Sequence, residues 1–311
     1  MPVIGGSISI REEPVCLGVR GGSNKLIRGD REMASNVNKL RELLKADKPT
    51  LATRVFSTWP VMTEVVGASG FYDYMEFSAE YAPFDQYDLE NIARAAELHG
   101  MGSIIKVDYA NRAYVSQKAI CSGFQGILWT DHKTAKDVEA TIKMVMSDSL
   151  QDNGQFGIPT RRLIGNLQGM KQMDFVEVCR NVVKLFMIEK KAAAENIEEI
   201  CSVDGVDMIQ FGPSDFSMNS GFNFADHMDE VREVEAKCIK AAIKHGVRPR
   251  AELMSADADT FKKYIDMGVK DFCVGGEVWS AAARWNRDGK TFRDVIAGLE
   301  VAPAEKGPAH Y

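Results

Sequence analysis

From Thr50 to Gly276 the chain alternates short apolar runs with longer stretches of amphipathic character. The runs read as strands: TLATRVFS (50–57), YDYMEFS (72–78), SIIKVD (103–108), GILWT (126–130), KLFMIE (184–189), DMIQFG (207–212), PRAELM (249–254) and DFCVGG (271–276). Between most of them lie helical patterns such as LENIARAAELHG, AKDVEATIKMVM and VREVEAKCIKAAIKHG. Several of these end in glycine, a usual helix stop. Eight β/α units over about 250 residues predict an α/β protein with a (β/α)8 TIM-barrel fold. A doubly wound sheet is the structural alternative, but no GxGxxG follows an early strand.

Two stretches break the rhythm. Residues 1–35 are glycine-rich and mixed in charge and read as an N-terminal arm, which leaves 36–300 for the barrel domain and 301–311 as a loose tail. Residues 148–170 form a long loop-like insert between the fourth and fifth strands. Loops of that length inside a compact domain are functional or disordered.

Composition narrows the class. The 311 residues are 26% charged with a formal net charge of −6, and no clustered basic patch marks a nucleic-acid surface. No apolar run approaches the ~20 residues of a membrane span. The N-terminus lacks the basic start and apolar core of a secretory signal. Six cysteines, at 16, 121, 179, 201, 238 and 273, form no CxxC pair. They suit buried thiols in a reducing cytoplasm better than a zinc site or a disulfide framework.

Barrel active sites lie at the C-terminal ends of the strands. Glu189 closes KLFMIE, and Asp215 follows DMIQFG through a GPS turn. One helix separates them, so they belong to adjacent parallel strands roughly 4.8 Å apart. Two carboxylates at that spacing can share a hard cation, Mg²⁺ or Mn²⁺. Each also has an ordinary structural reading: Glu189 paired with Lys190 or Lys191, Asp215 capping the next helix. The GPSD turn adds free backbone N–H groups at Ser214 and Asp215 that can hold a substrate carboxylate.

These residues carry a resemblance. GFYDYMEFSAEYAPFD, MIEKKAAAENIEEI and SVDGVDMIQFGPSDFS are similar to segments of the HpcH/HpaI aldolase/citrate lyase family, and the likeness runs from about residue 36 to 285. The resemblance implies a metal-dependent TIM barrel, commonly hexameric with helices exchanged between subunits. It implies cleavage of 4-hydroxy-2-oxo acids, with Glu189 and Asp215 as metal ligands. The departures are concentrated. The family's I-D-G-E-H-A-P motif reads FSAEYAP here, so the histidine base is Tyr81 and the aspartate before it is Ser78. An acid that supports the histidine falls at Ile120 or Cys121, the arginine of V-R-V-P at Lys106, a glutamine at Met187 and a first-strand aromatic at Arg54.

The sequence therefore leads us to expect a divalent-metal-dependent, class II aldolase-like lyase acting on a small 2-oxo acid through an enolate. Lys106 would neutralise the oxo oxygen. Tyr81, with Glu80 or His132, would move the proton, and Arg54, Lys106, Ser214 and Asp215 would bind substrate. His132 stands after GILWT, beside Asp131, where it serves as a base or merely starts a surface helix. Arg161 and Arg162 in the insert reach a carboxylate or are surface charge. Decarboxylation, hydration or Claisen-type condensation on the same scaffold, and a non-catalytic metabolite-binding member, are the alternatives. The expected partners are the small 2-oxo acid and further copies of the chain in a homo-oligomer, with neither nucleic acid nor membrane.

Overall fold

The computed structural model describes residues 37–297, apart from 163, 166–168 and 255–256. The expected arm and tail lie outside the described residues. In chain order the strands are β1 (Thr50–Val55), β2 (Tyr74–Phe77), β3 (Gly102–Val107), β4 (Gly126–Trp129), β5 (Thr160–Arg161), β6 (Ile164–Gly165), β7 (Val183–Ile188), β8 (Met208–Phe211), β9 (Arg248–Leu253) and β10 (Asp271–Gly276). All but β5 and β6 close into one barrel in the order β1-β10-β9-β8-β7-β4-β3-β2. Every expected barrel strand is present, and the fold is a (β/α)8 TIM barrel.

Both faces of these strands are buried, as a parallel sheet under helices requires. Outward residues Met75, Phe77, Ile105, Trp129, Phe186 and Ile188 pack in the core between sheet and helices. Inward residues Ala52, Tyr74, Ile104, Leu128, Leu185 and Met208 fill the lower barrel together with Leu40. Leu40 belongs to helix α1 (Lys39–Lys45), which closes the N-terminal end. The Arg41 guanidinium holds α1 there, 2.6 Å from Asp207 and donating to the carbonyls of Asn181 and Val182.

Two residues further along, the inward positions of β1, β2, β3 and β8 become polar, while Met187 keeps β7 apolar. Arg54, Glu76, Lys106, Gln210 and Arg250 are all buried. Buried charge is costly unless paired, and the interior is paired: Arg250 with Glu76, and Arg54 with Glu252 at 2.7 Å. Gln210 Nε2 donates to Glu252 Oε2 at 2.7 Å.

The first and last strands are stitched by side chains. Thr50 Oγ1 donates to Asp271 Oδ1 (2.6 Å) and Thr53 Oγ1 to the Val274 carbonyl (2.8 Å). Just past β10, Glu277 Oε1 accepts the N–H groups of Phe56 and Ser57, the latter at 2.7 Å.

The 148–170 insert is more ordered than its composition suggests: β5 and β6 pair antiparallel, and Phe156 enters the core edge-on to Phe175. Its arginines are engaged with acids of the helix Gln86–Leu98, Arg161 with Glu90 (2.6 Å) and Arg162 with Glu97 (2.7 Å). The described cysteines are free and buried. The last helix, Glu277–Ala297, buries no residue and leaves Val278, Trp285, Phe292 and Val295 exposed. No helix among the described residues is long and apolar enough to cross a membrane.

Candidate active site

Glu189, the residue after β7, is 2% exposed. Its Oε1 accepts the Asp131 N–H at 2.8 Å, and no donor meets Oε2 among the described residues. A Cβ on Gly212 would come within 2.8 Å of Glu189 Cβ and 3.1 Å of Oε2. The corner after β8 therefore needs a glycine, because the Glu189 side chain occupies that space.

Gly212 caps the helix Pro213–Ser220 without a side-chain bond, and Pro213 opens it, a position where a missing N–H costs nothing. Asp215 is thus the third helical residue and not the cap. The first-turn N–H groups of Ser214 and Asp215 have no acceptor within the helix. Ser214 is exposed and Asp215 half-buried.

Neither expected lysine pairs with Glu189. Lys190 binds Asp131 instead, at 2.7 Å. Burial, reinforced by the charges of Asp131 and Asp215, pushes the Glu189 carboxyl up to about 7, against the pull of Lys106 and the Asp131 N–H.

Lys106 rises from β3 toward the same space. Its Nζ lies 2.7 Å from Glu80 Oε2 and donates to the Tyr81 hydroxyl at 3.0 Å. EFSAEYAPFD folds so that both partners reach it: β2 ends at Phe77, Glu80 N donates to the Lys106 carbonyl and Tyr81 N to the Ser78 carbonyl. Burial works against the Lys106 charge, but Tyr81, Glu80 and Glu189 outweigh it and hold its pKa above the ordinary lysine value. An imine-forming lysine needs the reverse shift. The Tyr81 ring is 55% exposed while its hydroxyl turns in to Lys106. Burial raises its pKa despite the lysine, so the phenol is protonated at neutral pH.

Arg54 reaches the mouth from β1 and is held by Glu252. Its guanidinium carbon lies 4.3 Å from the Trp279 ring centroid and 5.8 Å from that of Phe56. Phe56 in turn stacks on Tyr81 (6.3 Å) and meets Trp279 edge-on (5.1 Å).

His132 is not with this group. It is 1% exposed, wedged between Tyr109 (5.2 Å) and Phe186 (5.0 Å), with Nε2 2.7 Å from Thr141 Oγ1 in the helix Ala135–Val145. Thr141 already accepts from Arg112 Nε at 3.1 Å. Burial depresses the imidazole to about 4, so it stays neutral behind the barrel wall.

The structure brings together Tyr81, Lys106, Glu80 and Glu189, with Asp215 in the field of Glu189. Arg54 joins Tyr81 through Phe56. Sequence reasoning missed Glu252, Phe56 and Trp279, and it set Asp131 beside His132 where the structure pairs it with Glu189 and Lys190. The alternation of Arg250 and Glu252 with Ala251 and Leu253 in PRAELM signalled an inward charged face. Nothing in the sequence signalled the left-handed backbone of Asp131, φ 65°.

Fold and site define a (β/α)8 barrel with an acid-lined C-terminal mouth and a paired lysine at its centre. The chain belongs to the HpcH/HpaI aldolase/citrate lyase family, whose model matches residues 55–281. This places it among aldolase and lyase enzymes. A 5-keto-4-deoxy-D-glucarate aldolase of Klebsiella pneumoniae is 27% identical over 241 residues, covering 78% of this chain and 91% of that protein. Two solved structures share the fold. An HpcH/HpaI aldolase/citrate lyase family protein of Burkholderia cenocepacia has a TM-score of 0.72 at 20% identity, over 82% of this chain and 99% of its own. An HpcH/HpaI aldolase of Desulfitobacterium hafniense has 0.71 at 21%, over 86% and 99%.

Proposed function

We propose that the protein is a divalent-metal-dependent carbon–carbon lyase that cleaves or forms a small 2-oxo acid. One observation carries the reading. Glu189 directly follows β7 and Asp215 lies in the first turn of the helix after the neighbouring β8, and neither forms an ion pair among the described residues, whereas Arg54, Lys106, Lys190 and Arg250 each have a carboxylate. The open Glu189 Oε2 against Gly212 and a carboxyl raised to about 7 mark a donor set short of positive charge. Hard oxygen donors of this kind fit Mg²⁺ or Mn²⁺. Bound between Glu189 and Asp215, such a cation would hold the 2-oxo acid and supply charge that stabilises an enolate.

The chain's own residues do the rest. The Ser214 and Asp215 N–H groups receive the substrate carboxylate, at the positive end of the helix dipole. Lys106, fixed by Glu80, keeps a permanent charge beside the oxo oxygen. The Tyr81 hydroxyl accepts from Lys106 and so has its own proton to give, with Glu80 as the carboxylate beyond it. A second reading, decarboxylation of a 2-oxo diacid, is favoured by one feature. The imidazole at His132 is turned out of the mouth, and decarboxylation makes the enolate without abstracting a proton.

The test is exchange of the pyruvate methyl protons in D2O, followed by NMR with Mg²⁺ or Mn²⁺, alongside release of CO2 from oxaloacetate. Cation-dependent exchange or decarboxylation, lost in Glu189→Gln, is expected. Inactivity in both assays with both cations rejects the enzyme reading in favour of a metabolite-binding protein.

We propose too that the chain works as a homo-oligomer, a hexamer by the family resemblance. The support is its last helix, which exposes Val278, Trp285, Phe292 and Val295 and buries nothing.

A further inference from the structure

The substrate's far end is set by what faces the two free carboxylates across the mouth. In the barrel order, β7 is four places from β1 in either direction, so the strand carrying Glu189 stands opposite β1. Around β1, three consecutive strand ends carry aromatic rings: Tyr81 after β2, Phe56 after β1 and Trp279 after β10. Phe56 touches both of the others, at 6.3 and 5.1 Å between ring centroids, so the three form one arc. Arg54 underlies it, 4.3 Å from the Trp279 ring. Gly276 makes room for that ring, because a Cβ there would lie 2.9 Å from two of its atoms.

The cations of this side are already engaged. Arg54 is 2.7 Å from Glu252, Lys106 is 2.7 Å from Glu80, and Arg250 is paired with Glu76 beneath them. A substrate tail bearing a second carboxylate would have to break one of these pairs and strand its acid, a costly exchange in a buried site. A flat uncharged tail meets rings instead, and aromatic contacts add about 0.5–1.5 kcal/mol beyond the area they bury.

Building on the 2-oxo acid reading above, we propose that the aromatic arc selects substrates whose distal group is an uncharged aryl, the aldehyde partner being an aromatic aldehyde. The reaction is then R–CH(OH)–CH2–CO–COO⁻ giving R–CHO and CH3–CO–COO⁻, with R an aryl group. The C3–C4 bond breaks, its electron pair becomes the enolate, the 4-hydroxyl proton leaves to the protein, and one proton returns to C3.

Two ligands that cannot be cleaved separate the possibilities: 4-phenyl-2-oxobutanoate and 2-oxoglutarate share one head and differ only in phenyl against carboxylate at C4. Calorimetric titration in the presence of Mg²⁺ should show the phenyl compound binding about tenfold tighter, the equivalent of roughly 1.4 kcal/mol. Trp279→Ala should lose that margin. Gly276→Ala, which keeps every ring but displaces Trp279, should reduce it. Glu252→Gln, which frees Arg54, should strengthen 2-oxoglutarate. Equal or tighter binding of 2-oxoglutarate by the unaltered protein, or a phenyl preference indifferent to both Trp279→Ala and Gly276→Ala, overturns the proposal. If pyruvate exchange persists in that case, only the aryl specificity is wrong. If neither ligand binds and pyruvate does not exchange, the 2-oxo acid reading fails and takes this one with it.

Discussion

Mild acid should draw a measurable stability cost from one buried imidazole. His132 is neutral in the fold, with a pKa lowered from 6.5 to about 4 by burial. Unfolding returns it to the ordinary value, so between those limits the unfolded chain binds the extra proton. Stability from this group is complete above about pH 6.5 and is lost as the pH falls toward 4. Integrating the two titrations from pH 7.5 to 5.0 gives a loss of about 2 kcal/mol. Glu189 works in the opposite direction. Its carboxyl is raised from 4.5 to about 7, so falling pH relieves a buried charge and gives back a similar amount. A simple pH–stability curve would show little, because the two nearly cancel. The informative comparison is between the protein and His132→Phe, which keeps a ring between Tyr109 and Phe186 but cannot take a proton. Urea midpoints at pH 7.5 and 5.0 should show the unaltered protein losing about 2 kcal/mol more than the variant over that interval. An equal change in both, or an NMR titration placing the imidazole near 6.5, would refute the argument.

Three further outcomes follow from the site. Mg²⁺ or Mn²⁺ at a hundredfold excess over Kd should stabilise the fold by about 2.7 kcal/mol, seen as a higher Tm; Glu189→Gln should abolish the rise, and indifference of the unaltered protein to both cations would remove the metal site. Tyr81→Phe should cut turnover roughly 10²-fold while leaving cation binding nearly intact, as deletion of a proton or oxyanion donor does; unchanged turnover would reduce Tyr81 to rim packing. Light scattering should find an oligomer at micromolar concentration, and a stable monomer would contradict the role given to the exposed face of the last helix.

Periodicity made the barrel legible, since each of its strands is an apolar run bounded by amphipathic helix. It also placed Glu189 and Asp215 just past neighbouring strands, at the barrel end where the cation site is proposed. What it could not give was direction where the backbone leaves the regular path. In GILWTDH, alternation carries Leu128 inward and Trp129 outward, so the same period sends His132 into the mouth. Asp131 breaks the count: its left-handed backbone turns its N–H to Glu189 and the next side chain out to Thr141. An aspartate tolerates that conformation far better than a bulky residue would, but it does not announce it. The aromatic arc was hidden for another reason. Phe56, Tyr81 and Trp279 come from opposite ends of the chain, and only closure of the barrel brings them together.

That closure bears on how the chain is made. The seam between β1 and β10, with its Thr50–Asp271 and Thr53–Val274 bonds, joins residues 221 positions apart. During synthesis β1 emerges among the first described elements and its neighbour β2 follows directly in the chain, yet its other edge must wait for nearly the whole domain to be translated. An open strand edge is a template for pairing with other chains, and closing so long a loop carries an entropic cost that only completed contacts repay. Glu277, lying immediately after the last strand and gripping Phe56 and Ser57, fastens the ring as soon as that strand arrives. A chain released before that point would expose the β1 edge and self-associate, so ribosome stalling ahead of residue 277 should yield aggregates in place of a shorter soluble barrel.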